Sequence, residues 1–445
     1  MSRGENVKIH FIGIGGIGIS GLAKYLYAQG MQITGSDIAQ SNATKYLASY
    51  DIPINIPHSA SAITDQDLVI HSAIIKPDNV EVQEALRKGI KVLSRKEALA
   101  FILGKKRVFS VCGAHGKSTT SAILSSLFPH FGAIIGADSK EFGSNVREAK
   151  SESIVFEADE SDKSFLNSNP YFAIIPNAEP EHMESYHHNL DEFYGAYHHF
   201  MQMATKRIIN LADPYLKGVK DLESIVLDPQ NDITDISFNL CNDEPQTTFT
   251  LKNYGSFSVW GFGEHMAQNA SLAILCAIEE YGEEQLPQIK ANLAHFKGIK
   301  KRFDIIQKSS TIIIDDYAHH PTEIKATLKS VRIYADLKQI NKIIAIWQPH
   351  KYSRVLDNLT AFVECFENLC DELIILPVWK AGEAHIDIDF ETLFKHYNPV
   401  FATHLKRVGE SLHLYQDQTM IKTLKDALII GLGAGDITYQ LRGEK

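Results

Sequence analysis

The sequence predicts an α/β protein built in three consecutive blocks, and three observations predict it. Short apolar runs rich in β-branched residues alternate with segments of helical period along the chain. Two of those runs end in glycine-rich loops that open helices, at residues 13–18 and 113–118. A third block, from residue 298, repeats the strand–loop–helix unit with charged and imidazole side chains at its strand exits. A length of 445 residues suits roughly two to four domains. Boundaries are expected at 1–104, 105–297 and 298–445, where the polar hinge Gly104-Lys-Lys-Arg107 and the stretch Phe296-Lys-Gly298 interrupt the pattern.

Composition excludes several classes. Hydrophobic residues at 44% and charged residues at 22% are ordinary for a globular protein. A formal net charge of −10 argues against non-specific nucleic-acid binding. No uncharged apolar run reaches the ~18 residues of a membrane span. The first residues run directly into a strand with no secretory apolar region. The five cysteines are odd in number and scattered, which suits reduced thiols in a cytoplasmic protein better than disulfides or zinc. Cys112 is expected as a small buried residue at a strand end.

In the first block, 7–12 is a strand, followed by Gly13-Ile-Gly15-Gly16-Ile17-Gly18 and a helix over about 20–28. A second strand, 32–34, ends at Gly35-Ser36-Asp37. This is a Rossmann-like start: glycines allow a tight turn and close phosphate approach, and an acid ~20 residues on can meet a ribose hydroxyl. Strands at 68–72 and 92–93 and helices at 80–88 and 96–103 complete the block.

The second block opens with the strand 107–112 and the loop Gly113-Ala114-His115-Gly116-Lys117-Ser118, before a helix over 119–127. Backbone N–H groups and a helix N-terminus would cradle a phosphate there, Lys117 would reach the β/γ-phosphates, and the Ser118 hydroxyl would ligate Mg²⁺. The strict G-x-x-x-x-G-K-[ST] pattern fails, since Val111 stands at its first glycine. Strands at 153–156 and 173–175 end in Glu157-Ala-Asp159-Glu160-Ser-Asp162 and Asn177-Ala-Glu179-Pro-Glu181-His182. Such side chains sit where α/β sheets bind ligands, and suit Mg²⁺ or Mn²⁺ beside phosphates. Most of these acids are expected to be solvated loop charges, and His182 is balanced between ligand and helix-start packing. His187, His188, His198 and His199 are expected on one helical segment, as surface or packing residues. A hairpin, 247–251 with 256–260, precedes helices at 270–281 and 286–296.

In the third block, the strand 311–314 ends in Asp315-Asp316-Tyr317-Ala-His319-His320-Pro-Thr-Glu323 and leads to a helix ending near Tyr334. The strand 342–347 ends in Gln348-Pro-His350-Lys351-Tyr-Ser-Arg354. Strands at 373–377 and 428–431 follow, the last ending in Gly433-Ala-Gly435-Asp436. The fold class is therefore α/β with three domains: Rossmann-like N-terminal, central P-loop ATPase-type, and C-terminal Rossmann-like. A phosphate loop, acids, and basic residues in a distant block point to phosphoryl transfer with domain closure, by an ATP-using enzyme with a second, phosphate-bearing substrate.

These strings, in this order and over nearly the whole chain, resemble the Mur ligases, the ATP-dependent amino-acid-adding enzymes of peptidoglycan synthesis. That family uses the shorter G-x-x-G-K-[ST] loop. The nearest resemblance is to the branch that joins L-alanine to the muramoyl carboxylate of UDP-N-acetylmuramate. It implies an acyl phosphate intermediate, ATP with Mg²⁺ (or Mn²⁺), and a cytoplasmic monomer or weak homodimer that neither binds nucleic acid nor inserts in a membrane. By that resemblance Lys117 is the phosphate-loop lysine, with Gly113, Ala114, His115, Gly116 and Thr119 around ATP and His115 also near substrate. Ser118, Glu157 and His182 hold metal, and Asn269 contacts adenine. Arg302 and Asp316 close on ATP from the third domain. Gly15, Gly16, Ile17 and Gly18 take the UDP diphosphate, with Asp37 and Ser72 nearby. His350 and Arg354 serve the new amide and the alanine carboxylate, for which a guanidinium fork is suited.

Four positions depart from the family pattern: Met266 stands for an asparagine, Glu181 for an aspartate, and Lys301 and Lys351 for arginines. Lysine keeps the charge and loses the planar fork. No lysine occurs between His182 and Lys206, so the carbamoylated lysine of some relatives is expected to be absent or replaced. Three alternatives remain at this point: a recycling ligase that adds an intact tripeptide, an NAD-dependent oxidoreductase built on the first loop, and a non-catalytic nucleotide-binding regulator.

Overall fold

The computed structural model describes residues 7–444. The described chain forms two compact units, one of residues 7–234, 251–255 and 268–296, the other of 235–250, 256–267 and 297–444.

The first unit holds two sheets. A five-stranded parallel sheet runs in the order Ile54–Asn55, Gln32–Ser36, Lys8–Ile12, Leu68–His71, Lys91–Ser94. Its central strand carries Ile9, Phe11 and Ile12, all fully buried, as a parallel strand covered on both faces requires. A seven-stranded sheet follows the order Ile225–Leu227, Lys206–Asn210, Pro170–Ile175, Arg107–Val111, Ser153–Glu157, Gly132–Ile134, Val146–Arg147. Only the last of its pairings, Gly132–Ile134 with Val146–Arg147, is antiparallel. The two strands of this sheet that end in candidate acids, Ser153–Glu157 and Pro170–Ile175, flank the strand that feeds the phosphate loop.

The second unit has a six-stranded sheet in the order Asp304–Lys308, Ile312–Asp316, Leu428–Leu432, Ile343–Trp347, Glu372–Ile375, Val400–Phe401. Its three central strands are buried throughout. Trp347 lies in the core of this unit, stacked on Phe362 with ring centroids 5.0 Å apart. The expected hairpin forms as Glu244–Leu251 with Ser256–Trp260 and gains a third strand, Ile233–Cys241.

Several boundaries move. The helix expected from 119 begins at Lys117, so the loop lysine is its first helical residue. The helix expected from 270 begins at Glu264, which places Met266 and Asn269 inside it. His187 and His188 precede the helix, which starts at Leu190 after the Asn189 cap, and both take positive φ; His198 and His199 lie within it. An antiparallel sheet, His404–Val408, Ser411–Gln416 and Thr419–Leu424, was not anticipated. Its turns at Gly409 and Asp417, both at positive φ, were the available signal.

Candidate active site

The first loop leaves the strand Lys8–Ile12. Gly13 N–H and Ile14 N–H both donate to Ser36 carbonyl O at 2.9 Å. Ile17 opens the following helix; its side chain lies outside the described residues. Asp37 turns back onto the loop and accepts from Gly15 N–H at 2.8 Å, while its other oxygen accepts from Ile38 N–H at 2.7 Å. The Arg95 guanidinium lies over Gly18: a Cβ there would stand 2.8 Å from its Nε. Gly16 is exposed, and Ser72 N–H donates to Ile12 O at 3.0 Å.

The second loop is tightly held. Gly116 has φ +80°, and a Cβ on it would meet Asn269 Oδ1 at 2.7 Å, so Asn269 packs directly over the loop. Asn177 clamps the loop in both directions: His115 N–H donates to its Oδ1 at 3.0 Å, and its Nδ2 donates to His115 O at 2.9 Å. The His115 Nε2 lies 3.1 Å from Glu179 Oε2 and 3.8 Å from Glu181 Oε1. Lys117 Nζ donates to Gly113 O at 2.5 Å, Ala114 O at 3.0 Å and Glu160 Oε1 at 2.9 Å. Burial alone would lower the lysine's pKa, but Glu160, Glu157 and Asp159 together raise it.

Ser118 O–H donates to Glu157 Oε1 at 2.9 Å, and Glu157 Oε2 accepts from Gly136 N–H at 2.5 Å. Burial raises the Glu157 carboxyl above its ordinary range. The Ser118 hydroxyl beside the Glu157 carboxylate is an all-oxygen donor pair, and the carboxyl stays raised although Lys117 is near, which fits a hard divalent ion. Half-buried Thr119 lies in the first turn of the helix. His182, at φ 52°, starts a short 3₁₀ turn, and its ring nitrogens lie 4.0 Å from Glu181 and Glu184 oxygens. Cys112 is buried, as expected, with its thiol pushed up by burial. The expectation of solvated acids fails at Glu160, which is 1% exposed. Its partner is the loop lysine, 43 residues away, a pairing no local pattern announces.

The second unit carries the remaining residues: Arg302 ahead of the strand Asp304–Lys308, and the others at the exits of Ile312–Asp316 and Ile343–Trp347, which flank the strand Leu428–Leu432. Arg302 Nη1 donates to Glu323 Oε1 at 3.1 Å, and its guanidinium sits 5.5 Å from the Tyr317 ring centroid. Burial opposes its charge, but Glu323 and Asp316 raise its pKa further. Asp316 accepts from Phe303 N–H and Ala318 N–H, each at 2.8 Å, and burial pushes its carboxyl to about 6. Arg354 Nη1 donates to His350 Nδ1 at 3.0 Å. His319 Nδ1 lies 3.0 Å from Tyr317 carbonyl O, to which it must donate. The two imidazoles therefore hold opposite tautomers: His319 keeps a lone pair on Nε2, and His350 keeps a proton on Nε2. Their ring centroids are 5.7 Å apart. Burial first, then Arg354, holds His350 down to about 4; burial, against Glu323, holds His319 down to about 3. An acceptor and a donor stand side by side, both neutral at physiological pH. His319, Glu323 and Asn177 belong to motifs visible in the sequence, but their partners were not.

Family models match the chain in three consecutive pieces. They are the Mur ligase family catalytic domain over residues 8–107, the Mur ligase middle domain over 111–277 and the Mur ligase glutamate ligase domain over 301–433. Among curated relatives, a UDP-N-acetylmuramate–L-alanine ligase of Helicobacter pylori is 59% identical over 441 residues, 99% of this chain and 97% of the relative. A ligase of the same name from Campylobacter jejuni is 49% identical, over 98% and 99% of the two chains. Among solved structures, the UDP-N-acetylmuramate-alanine ligase of Thermotoga maritima superposes with a TM-score of 0.79 at 26% identity, over 98% of this chain and 97% of that one. A murein peptide ligase of Psychrobacter arcticus shares the fold, with a TM-score of 0.64 at 20% identity and 98% coverage of each chain.

Proposed function

The chain belongs to the Mur ligase family, and from that premise we propose the reaction its site performs. It is the ATP-dependent ligation of L-alanine to the muramoyl carboxylate of UDP-N-acetylmuramate, a cytoplasmic step of peptidoglycan precursor synthesis. Identity of 59% along the full length of a ligase with that name carries this reading. Likeness to the murein peptide ligase, at 20% identity, extends to the fold alone. No helix among the described residues is long and apolar enough to cross a membrane.

We assign the UDP-sugar to residues 1–104, ATP to 105–297 and the amino acid to 298–445. The glycine loop of Gly15, Gly16, Ile17 and Gly18, with Asp37 and Ser72, takes the UDP diphosphate. Residues 113–119 take the ATP phosphates and Asn269 the adenine. A carboxylate is a poor electrophile, because attack must add charge to an anion. Transfer of the γ-phosphoryl group to a muramoyl oxygen makes an acyl phosphate and releases ADP. Lys117 and Arg302 neutralise the transferring group, and Asp316 and Glu323 hold Arg302 in place. Ser118, Glu157 and His182 would hold Mg²⁺ (or Mn²⁺), which supplies charge neutralisation and orientation beside the phosphates.

The alanine amino group then attacks the acyl carbon. Arg354 binds its carboxylate. The amine attacks as the free base, the Nε2 lone pair of His319 accepts a hydrogen bond from its N–H, and the proton left on nitrogen after attack departs with the phosphate. His350 Nε2–H donates to the oxyanion of the tetrahedral intermediate, which collapses to the amide as phosphate leaves. Oxygen bookkeeping tests the sequence. With ¹⁸O in the muramoyl carboxylate, one labelled oxygen should appear in inorganic phosphate, read by mass spectrometry beside the alanyl product. Unlabelled phosphate with product formed would rule out the acyl phosphate.

A further inference from the structure

Lys117 has no donor to spare. An ammonium group offers three hydrogens, and Gly113 O, Ala114 O and Glu160 Oε1 accept from it at 2.5, 3.0 and 2.9 Å. Two of these acceptors belong to the phosphate loop itself, so the side chain is folded back on its own strand exit. A phosphate can reach this ammonium only if at least one of the three bonds breaks. Glu160 is the charged acceptor, and charge-assisted bonds are the strong ones.

Glu160 cannot easily follow the lysine. It is buried, and its backbone carbonyl accepts from Tyr186 O–H at 2.6 Å and from Lys163 N–H at 3.1 Å. Its second carboxyl oxygen, Oε2, is buried with no hydrogen-bond partner. The groups facing it are Lys117 from the loop helix, Asp159 on its own segment, Cys112 at the strand end, and Tyr186 and Tyr197. Among these, Lys117 is the only cation.

We propose that Glu160 is a positioning residue of the ATP site: it holds Lys117 withdrawn in the nucleotide-free enzyme, and ATP takes the lysine from it in exchange for a proton. In this exchange the N–H···O bond from Lys117 to Glu160 Oε1 breaks, Lys117 keeps its charge and donates to a phosphate oxygen, and Glu160 takes a proton from solvent. Burial already raises Glu160 to about 7 with the lysine beside it. Removing the cation and bringing anionic phosphates near both push further in the same direction. This role rests on the assignment of residues 113–119 to ATP.

Titration calorimetry of the full chain with MgATP, near pH 8 in two buffers of contrasting ionisation heat, tests it. The wild type should take up close to one proton per ATP bound. Glu160→Gln should take up none and should bind ATP several-fold more tightly, because no ion pair has to be broken. A merely structural role would not move the proton count. Equal uptake in both proteins, or weaker ATP binding by Glu160→Gln, would overturn the proposal. If that variant does not fold, the wild type alone suffices: its Kd for MgATP should rise towards about tenfold per pH unit above neutrality, and a flat Kd would overturn it. A wild type that binds no ATP would instead overturn the assignment of the loop.

Discussion

Lys117 illustrates how much of a residue's chemistry is set by what packs against it. Its position after Gly116 made it a phosphate ligand in sequence, since the loop geometry is local. What holds it, Glu160, lies 43 residues on, and Asn177, which clamps His115, lies 62 residues on. Parallel strands make such partners neighbours, because their exits share one edge of the sheet. The residue types were visible at those exits, and their pairing was not. Lys117→Ala should abolish phosphate release while leaving UDP-N-acetylmuramate affinity, measured by calorimetry, within about twofold of wild type. Asn177→Ala leaves an N–H and a C=O of the loop without partners, at a cost of about 1–3 kcal/mol. We expect ATP affinity to fall roughly tenfold or more, with UDP-sugar affinity unchanged.

Strand exits are also where the elements divide the chemistry. In the second unit, Ile312–Asp316 delivers Asp316, Tyr317 and His319, and Ile343–Trp347 delivers His350 and Arg354. Continuous apolar runs such as Ile312-Ile-Ile314 made these strands visible in sequence, since burial on both faces demands them. The sheet at 404–424 was missed because its strands are short and largely exposed, with only one buried residue each in His404–Val408 and Thr419–Leu424, so no continuous apolar run marks them. His319 and His350 stay neutral when folded and become protonated when unfolded below about pH 6.5. The unfolded state then binds more protons, so stability falls as pH drops from about 6.5 towards their folded values of about 3 and 4. Each histidine contributes up to about 1.4 kcal/mol per pH unit in that window. Asp316, raised to about 6, acts in the opposite direction between about pH 6 and 4, because the folded state then holds the extra proton. His265, lowered to about 4 by burial in the same unit, adds to the two histidines, and three groups against one leave a net loss. All three tryptophans, 260, 347 and 379, lie in this unit, so the urea midpoint of tryptophan fluorescence reports it. The midpoint should fall between pH 6.5 and 5, and the fall should be markedly smaller in a variant with His319 and His350 both changed to asparagine, where His265 alone still opposes Asp316.

At the scale of the whole molecule, three Mur ligase domains follow one another along the chain, with both glycine loops in the first unit and the His319–His350 pair in the second. The three-block α/β plan was readable from alternating patterns and two glycine loops. The division of the described chain into two compact units was not, because residues 235–250 and 256–267 group with a part of the chain that begins thirty residues later. What the molecule ligates follows from its likeness to alanine-adding enzymes and from a site that offers a guanidinium, a lone pair and an N–H at one sheet edge. The most direct measurement is phosphate release from ATP with UDP-N-acetylmuramate present and the amine varied. L-alanine should drive release far faster than glycine, L-serine or the L-alanyl-γ-D-glutamyl-diaminopimelate tripeptide. Release driven best by the tripeptide, or by none of them, would contradict the assignment.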